Sequence, residues 1–196
     1  MKRLFDVLFS FIVLIVFLPI GIIIALVILL SSPGGIFYKQ ERIGKNGIPF
    51  MLFKFRSMRT NSDQSGSLTV GMKDSRITKI GVFIRKYKLD EFPQFINVLF
   101  GTMSVVGPRP EVKEFVDLYT EKQRKILEVK PGITDYASLE YFNENEVLAQ
   151  SSDPKKTYIE DVMPHKIMIN QKYLRRPTLS HDISIIAKTV KRIVFN

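Results

Sequence analysis

The stretch KYKLDEFPQF, residues 86–95, sets two adjacent carboxylates, Asp90 and Glu91, behind Lys86 and Lys88 and just ahead of Pro93. Proline is tolerated in a helix's first turn, and aspartate is a favoured N-cap stabilised by the positive end of the helix dipole, so one reading is a plain helix start. The same physics supports a second reading. Phosphate oxygens also bind at helix N-termini, and a carboxylate held there can attack a phosphoryl centre to form an acyl phosphate. Repulsion between two anions must then be offset by Lys, Arg or a divalent cation. Candidate cations are Lys54 and Arg56 in FKFRSM, which strand alternation directs to one face, Arg85 before the acid pair, and Arg109 between Pro108 and Pro110. Phosphoryl transfer is the chemistry this set could support; taken singly, each cation also fits a solvated surface charge.

Composition removes most alternatives. There is no cysteine, which excludes thiol catalysis, disulfides and cysteine-ligated zinc, and the two histidines, His165 and His181, are too few for a histidine-rich metal site. The 29 Lys and Arg residues against 19 acids, a net charge of +10, favour anionic partners: nucleic acid, acidic lipid headgroups or a phosphorylated small molecule.

The elements that must carry these residues begin in a membrane. Val7 to Leu30 reads VLFSFIVLIVFLPIGIIIALVILL without a charge, which exceeds the roughly 20 apolar residues a membrane helix needs. It is too long for a typical signal-peptide core and too uniformly apolar for a buried core helix. Pro19 interrupts it, and basic residues flank both ends: Lys2 and Arg3 before, Lys39, Arg42 and Lys45 after. A helix that enters, breaks at Pro19 and returns to the same face accounts for both facts; a kinked span is the alternative.

After the turn-rich SSPGG linker, Ile36 to Gln40 and Pro49 to Phe55 predict a β-hairpin turning at Asn46-Gly47. Residues 57–76 read as a mobile loop. Lys79 to Tyr87 predicts a basic amphipathic helix with Ile80, Phe83 and Ile84 on one face, and Asp90 to Phe100 a second helix ended by Gly101. A charged helix is expected from Glu111 to Val129, another from Thr157 to Leu174 apart from Pro164, and a final amphipathic helix across DISIIAKTVKRIVF that packs on a core or lies on lipid. The fold class is helix-rich α+β: residues 1–33 as membrane helix, and residues 34–196 as a compact cytoplasmic domain with a small hairpin and interfacial helices.

FKFRSM, GVFIRKYKLDEFPQFINVLFGTMSVVGPRP and KPGIT, in this order behind the proline-containing apolar start, resemble the small bacterial sugar transferases, the monotopic phosphoglycosyl transferases. The resemblance covers nearly the whole chain. It implies transfer of a sugar 1-phosphate from a UDP-sugar to undecaprenyl phosphate with release of UMP, on the cytoplasmic face of the bacterial inner membrane. It also implies a re-entrant helix in one leaflet, broken at the position of Pro19. Asp90 would be the nucleophile, Glu91 its partner in binding Mg²⁺ or orienting the site, and Lys54, Arg56, Arg85 and Arg109 the phosphate contacts. Later glycosyltransferases of the same pathway are candidate partners. Two positions depart from the family pattern: Asp135 follows PGIT where glycine is common, and Asn170 stands where many members carry aspartate. The competing reading is a basic, membrane-anchored module that binds acidic lipids or partner proteins, which leaves the acid pair without a use. Nucleic acid is not an expected partner, since no recognition motif is present.

Overall fold

In the computed structural model, which describes residues 1–196 except 61–67, 69, 72–73, 176 and 196, the apolar start is one helix, α1 (Lys2–Ser31). The expected break at Pro19 is therefore not an interruption of the helix. Proline removes one backbone hydrogen bond and permits a bend without ending the helix, and both sides of it are held by one partner. Phe17 packs on Phe92 with ring centroids 5.9 Å apart, and Gly21 lies against the same ring. Only Asp6, Ser10, Ile24 and Ile28 of α1 are buried, and its remaining large side chains stand mostly exposed.

Each end of α1 is tied to the rest of the chain by charge. At the start, Lys2 donates to Asp182 at 2.5 Å and to the carbonyl of Val106 at 3.0 Å. Arg3 donates to the carbonyls of Val98 and Leu99. Buried Asp6 accepts from Ser104 Oγ at 2.8 Å and from the amide of Val105 at 3.2 Å. At the far end, Arg56 donates to the carbonyls of Ser32 and Pro33 at 2.8 and 2.6 Å.

β1 (Phe37–Ile43) and β2 (Pro49–Phe55) form the expected antiparallel hairpin, turning through Lys45–Gly47 with Asn46 and Gly47 at positive φ. Half of the loop expected over residues 57–76 falls outside the described residues; its stem is pinned by the Arg59 amide donating to the Arg76 carbonyl at 2.9 Å. α2 (Lys79–Lys86) starts where the Thr78 side chain caps it, and it buries Ile84 while Phe83, expected on the same face, is exposed. α3 (Gln94–Phe100) ends at Gly101, as its left-handed conformation requires.

β3 (Ser104–Val106) and β4 (Gly132–Thr134) make a short parallel pair. A Cβ on Gly132 would stand 2.1 Å from the Gly107 amide nitrogen, so the close approach of these backbones depends on a glycine there. The single charged helix expected over 111–129 is instead α4 (Lys113–Val116), α5 (Glu121–Arg124) and a 3-10 turn at Lys125–Glu128. The reason is local: Thr120 and Gln123 form a reciprocal capping box that restarts the helix. α6 (Tyr136–Glu140), α7 (Glu144–Ala149) and α8 (Pro154–Thr157) follow. A π turn at Tyr158–Val162 then leads into α9 (Met163–Leu174), so Pro164 is absorbed in the first turn of α9. In the last helix, α10 (Leu179–Phe195), Asp182 and Ile185 are buried, while Leu179, Ile183, Val190 and Val194 are exposed in a stripe.

Candidate active site

The acid pair occupies a 3-10 turn, Leu89–Glu91, entered through Lys88 in the left-handed conformation. Neither carboxylate caps a helix: the N-cap position of α3 is taken by Pro93, and no side-chain cap bond is made there. The helix-start reading thus leaves the pair unexplained. Both side chains are buried, Asp90 with 5% and Glu91 with 9% of its surface exposed, a costly state for anions unless they are paired.

The two carboxylates meet different fates. Glu91 accepts both guanidinium nitrogens of Arg109, Nη1 to Oε2 at 3.0 Å and Nη2 to Oε1, and Lys54 Nζ approaches Oε1 at 3.4 Å. Asp90 accepts no side-chain hydrogen bond among the described residues. Burial raises its pKa above the ordinary 3.8 and neighbouring Glu91 adds to this, against the pull of Lys54, Arg85 and Lys88. Burial works on Glu91 in the same direction, but Arg109 and Lys54 outweigh it and hold the group well below 4.5. Lys54 is lowered by its own burial, partly offset by Glu91, and Arg109 is raised by Glu91. Glu91 is therefore a locked anion, and Asp90 is a carboxylate kept free of partners inside a ring of cations.

Of the cations expected at a phosphate site, the structure brings Lys54, Arg85 and Arg109 to the acid pair. Lys54 lies on β2, and Arg85 is in the last turn of α2 with Nη1 3.4 Å from Ser57 Oγ. Arg109 leaves the carboxyl end of β3, where ligand sites on parallel strands are commonly found. Arg56 is a correction. β2 ends at Phe55, and the Arg56 guanidinium is turned away and buried on the carbonyls that end α1. Gly34 makes room for it, since a Cβ there would lie 1.8 Å from Arg56 Nη1 and the backbone has φ +118°. Strand alternation could not report this, because it predicts a face and not where a ladder stops.

Lys88 was missed as a site cation, although it acts on both carboxylates; its place two residues before Asp90 was the available signal. Asp135 and Asn170, noted only as departures, prove to touch one another, and Asp135 also touches Arg109. Asp135 Oδ2 accepts the Arg109 amide at 2.9 Å and Asn170 Nδ2 at 2.7 Å.

A divalent cation finds only part of a site here. No group of three or more His, Cys, Asp or Glu residues converges among the described residues. Both oxygens of Glu91 are taken by Arg109 and Lys54, which leaves Asp90 as the open oxygen ligand of the pair. Magnesium is commonly held by one or two carboxylates together with substrate phosphates, so one free carboxylate fits a metal that arrives with its anion. The arrangement can present an unpaired carboxylate to a phosphorus atom while cations on several elements receive the phosphate oxygens.

The whole chain, residues 1–196, matches the family model described as bacterial sugar transferase, and it belongs to that family. Among curated relatives it is 37% identical to the UDP-N-acetylgalactosamine-undecaprenyl-phosphate N-acetylgalactosaminephosphotransferase of Aeromonas hydrophila, over 98% of this chain and 43% of that protein. It is 34% identical to the UDP-glucose:undecaprenyl-phosphate glucose-1-phosphate transferase of Escherichia coli (strain K12), over 97% of this chain and 39% of that protein. With a putative undecaprenyl-phosphate N-acetylgalactosaminyl 1-phosphate transferase of Bacillus subtilis (strain 168) it shares 44% identity, over 60% of this chain and 66% of the relative. The chain thus spans less than half the length of the first two.

Proposed function

We propose that this chain transfers a sugar 1-phosphate from a UDP-sugar to undecaprenyl phosphate and releases UMP, by way of a covalent intermediate on Asp90. The observation that carries the reading is the asymmetry of the acid pair: Glu91 is locked by Arg109 and Lys54, while Asp90 is buried, unpaired and surrounded by Lys54, Arg85 and Lys88. An Asp90 oxygen attacks the phosphorus bearing the sugar, the bond from that phosphorus to the UMP oxygen breaks, and UMP departs with the electron pair. A lipid phosphate oxygen then attacks the same phosphorus, the bond to Asp90 breaks, and the carboxylate is restored. Arg109, Arg85, Lys54 and Lys88 supply the positive field in which charge on the transferring group is stabilised. Magnesium, held by Asp90 with substrate oxygens, would supply further charge neutralisation.

A location at the cytoplasmic face of the inner membrane, with α1 entering one leaflet and returning, is part of the same proposal. It is supported by the anchoring of both ends of α1: Lys2, Arg3 and Asp6 at one end and Ser32 and Pro33 at the other bind a single folded unit. A straight crossing of a hydrocarbon core about 30 Å thick would carry those ends to opposite sides. The exposed apolar stripe of α10 supplies a second lipid-facing surface.

The test is a panel of UDP-sugars given to the full chain in detergent with Mg²⁺, without lipid acceptor. UMP should appear in an amount no greater than the enzyme, and intact mass should show a sugar-phosphate adduct on Asp90; added chelator should abolish both. UMP release that strictly requires the lipid, with no adduct ever trapped, would overturn the covalent route. The relatives differ in the sugar they are named for, so the same panel identifies the donor.

A further inference from the structure

Asp135 is 1% exposed and stands at the end of β4 as the N-cap of α6. Its carboxylate gathers donors from separate parts of the chain. Oδ1 accepts the Ser138 amide at 2.5 Å, and Oδ2 accepts the Arg109 amide at 2.9 Å together with Asn170 Nδ2 of α9 at 2.7 Å. The parallel ladder delivers it there: Ser104 pairs with Gly132 and Val106 with Thr134, the Gly107 amide donates to the Thr134 carbonyl at 3.1 Å, Asp135 follows Thr134 directly, and Arg109 lies two residues beyond Gly107. The side chain therefore continues, beyond the end of the strands, the hydrogen bonding that the backbones began.

A carboxylate is the one side-chain group of this length that accepts on both of its atoms. An amide at 135 would have to turn an N–H toward either the Ser138 or the Arg109 amide. Asn170 also fits this logic, since an aspartate there would bring a second buried anion to within hydrogen-bond distance of the first. Asp135 and Asn170 thus act as one unit.

We infer that Asp135, braced by Asn170, is the positioning residue of Arg109: it holds the backbone from which the guanidinium reaches Glu91 and the anion that comes to Asp90. Pro108 and Pro110 restrict the backbone on either side, and Asp135 supplies the fixed point between them. Truncating Asp135 releases that point without touching the reacting carboxylates. The consequence for turnover rests on the transferase reading; the consequence for Arg109 does not.

Asp135→Ser separates positioning from capping, because serine is also a good N-cap for α6 but is too short to keep the Arg109 contact. Asp135→Asn, an isostere, is the second variant should the first fold poorly. Arg109 side chains are about one-third exposed, so phenylglyoxal labelling of the full chain in detergent, mapped by peptide mass with the Arg124 peptide as reference, reads how tightly Arg109 is held. Labelling of Arg109 should speed up several-fold in either variant under conditions where the variant is still fully folded, even though the lost hydrogen bonds lower its melting temperature. With a UDP-sugar that the wild type uses, kcat should fall about tenfold at nearly constant KM, the pattern of an interaction realised in the transition state. Unchanged Arg109 labelling in a folded variant overturns the inference, as does a loss of activity that merely follows a loss of folded protein. A wild type that releases no UMP from any UDP-sugar removes the transferase reading, and the labelling result still decides the role of Asp135.

Discussion

Buried charge is handled in opposite ways at the ends of α1 and at the acid pair. Around α1, each buried ion is held by short-range partners: Asp6 by Ser104 and Val105, Asp182 by Lys2 and Tyr173, and Arg56 through both terminal nitrogens by the Ser32 and Pro33 carbonyls, with only its Nε left unpartnered. At the acid pair, saturation stops one residue short, with Glu91 fully engaged and Asp90 left open. A saturated ion locks an element in place, whereas an unsaturated one keeps its free energy available for a ligand. The contrast separates residues that hold the chain together from those that are held ready, even where both are arginines in basic sequence surroundings.

The largest expected effect lies at Asp90. Asp90→Asn should reduce UMP release by several orders of magnitude, because an amide is a very poor nucleophile at phosphorus. The same substitution should raise the melting temperature at neutral pH, since it removes a buried, unpaired anion. The pH dependence of that gain follows from the raised pKa. Below 3.8 the wild-type group is protonated in both folded and unfolded chains and adds no pH-dependent cost; the penalty grows as pH rises from 3.8 to the folded value and is constant above it. A variant that is inactive and also less stable at neutral pH would place Asp90 among the saturated ions.

Next comes Glu91→Gln. Breaking a buried ion pair by removing one partner costs about 3–5 kcal/mol, and here it strands Arg109 and Lys54, so thermal stability should drop. Because the Glu91 pKa is depressed, its contribution is present above 4.5 and is lost as pH falls through the folded value, where wild type and variant should converge. Some Asp90 adduct should still accumulate, slowly, since the nucleophile remains.

A smaller effect is expected at Arg56. Arg56→Met should cost roughly 1.5–3 kcal/mol for each charged hydrogen bond lost in excess of what apolar packing returns, yet leave kcat per folded molecule unchanged. A fall in kcat with an intact melting curve would return Arg56 to the phosphate contacts. The smallest effect is on the acid side of the pH–rate profile. Activity should decline with falling pH through a value above that of an ordinary aspartate, and this limb should be missing from the residual rate of Asp90→Asn.

Much of this was legible in the chain itself. The uncharged run from Val7 to Leu30 already has the length and composition of a helix that could cross a membrane, and the structure makes it one continuous helix. The hairpin announced itself through Asn46-Gly47, and the end of α3 through Gly101, because those positive-φ positions are conformations that few residues tolerate. The single helix expected over 111–129 failed because a Thr120–Gln123 capping box outweighs a run of good helix formers. In the candidate site, residue types and their spacing singled out Asp90, Glu91, Lys54, Arg85 and Arg109, which the fold brings together.

Which of the carboxylates is locked, which arginine is bound to the carbonyls after α1 instead of lying at the acid pair, and how Asp135 and Asn170 come together depend on contacts between residues far apart in the chain. Arg109 reaches Glu91 across 18 positions and Asn170 reaches Asp135 across 35. A linear pattern records the chemistry each residue can perform. Pairing and burial, which set whether an ion is spent or available, arise only when the parallel strands, α1 and α9 converge, because hydrogen bonds and desolvation act over a few ångströms of space and are blind to separation along the chain.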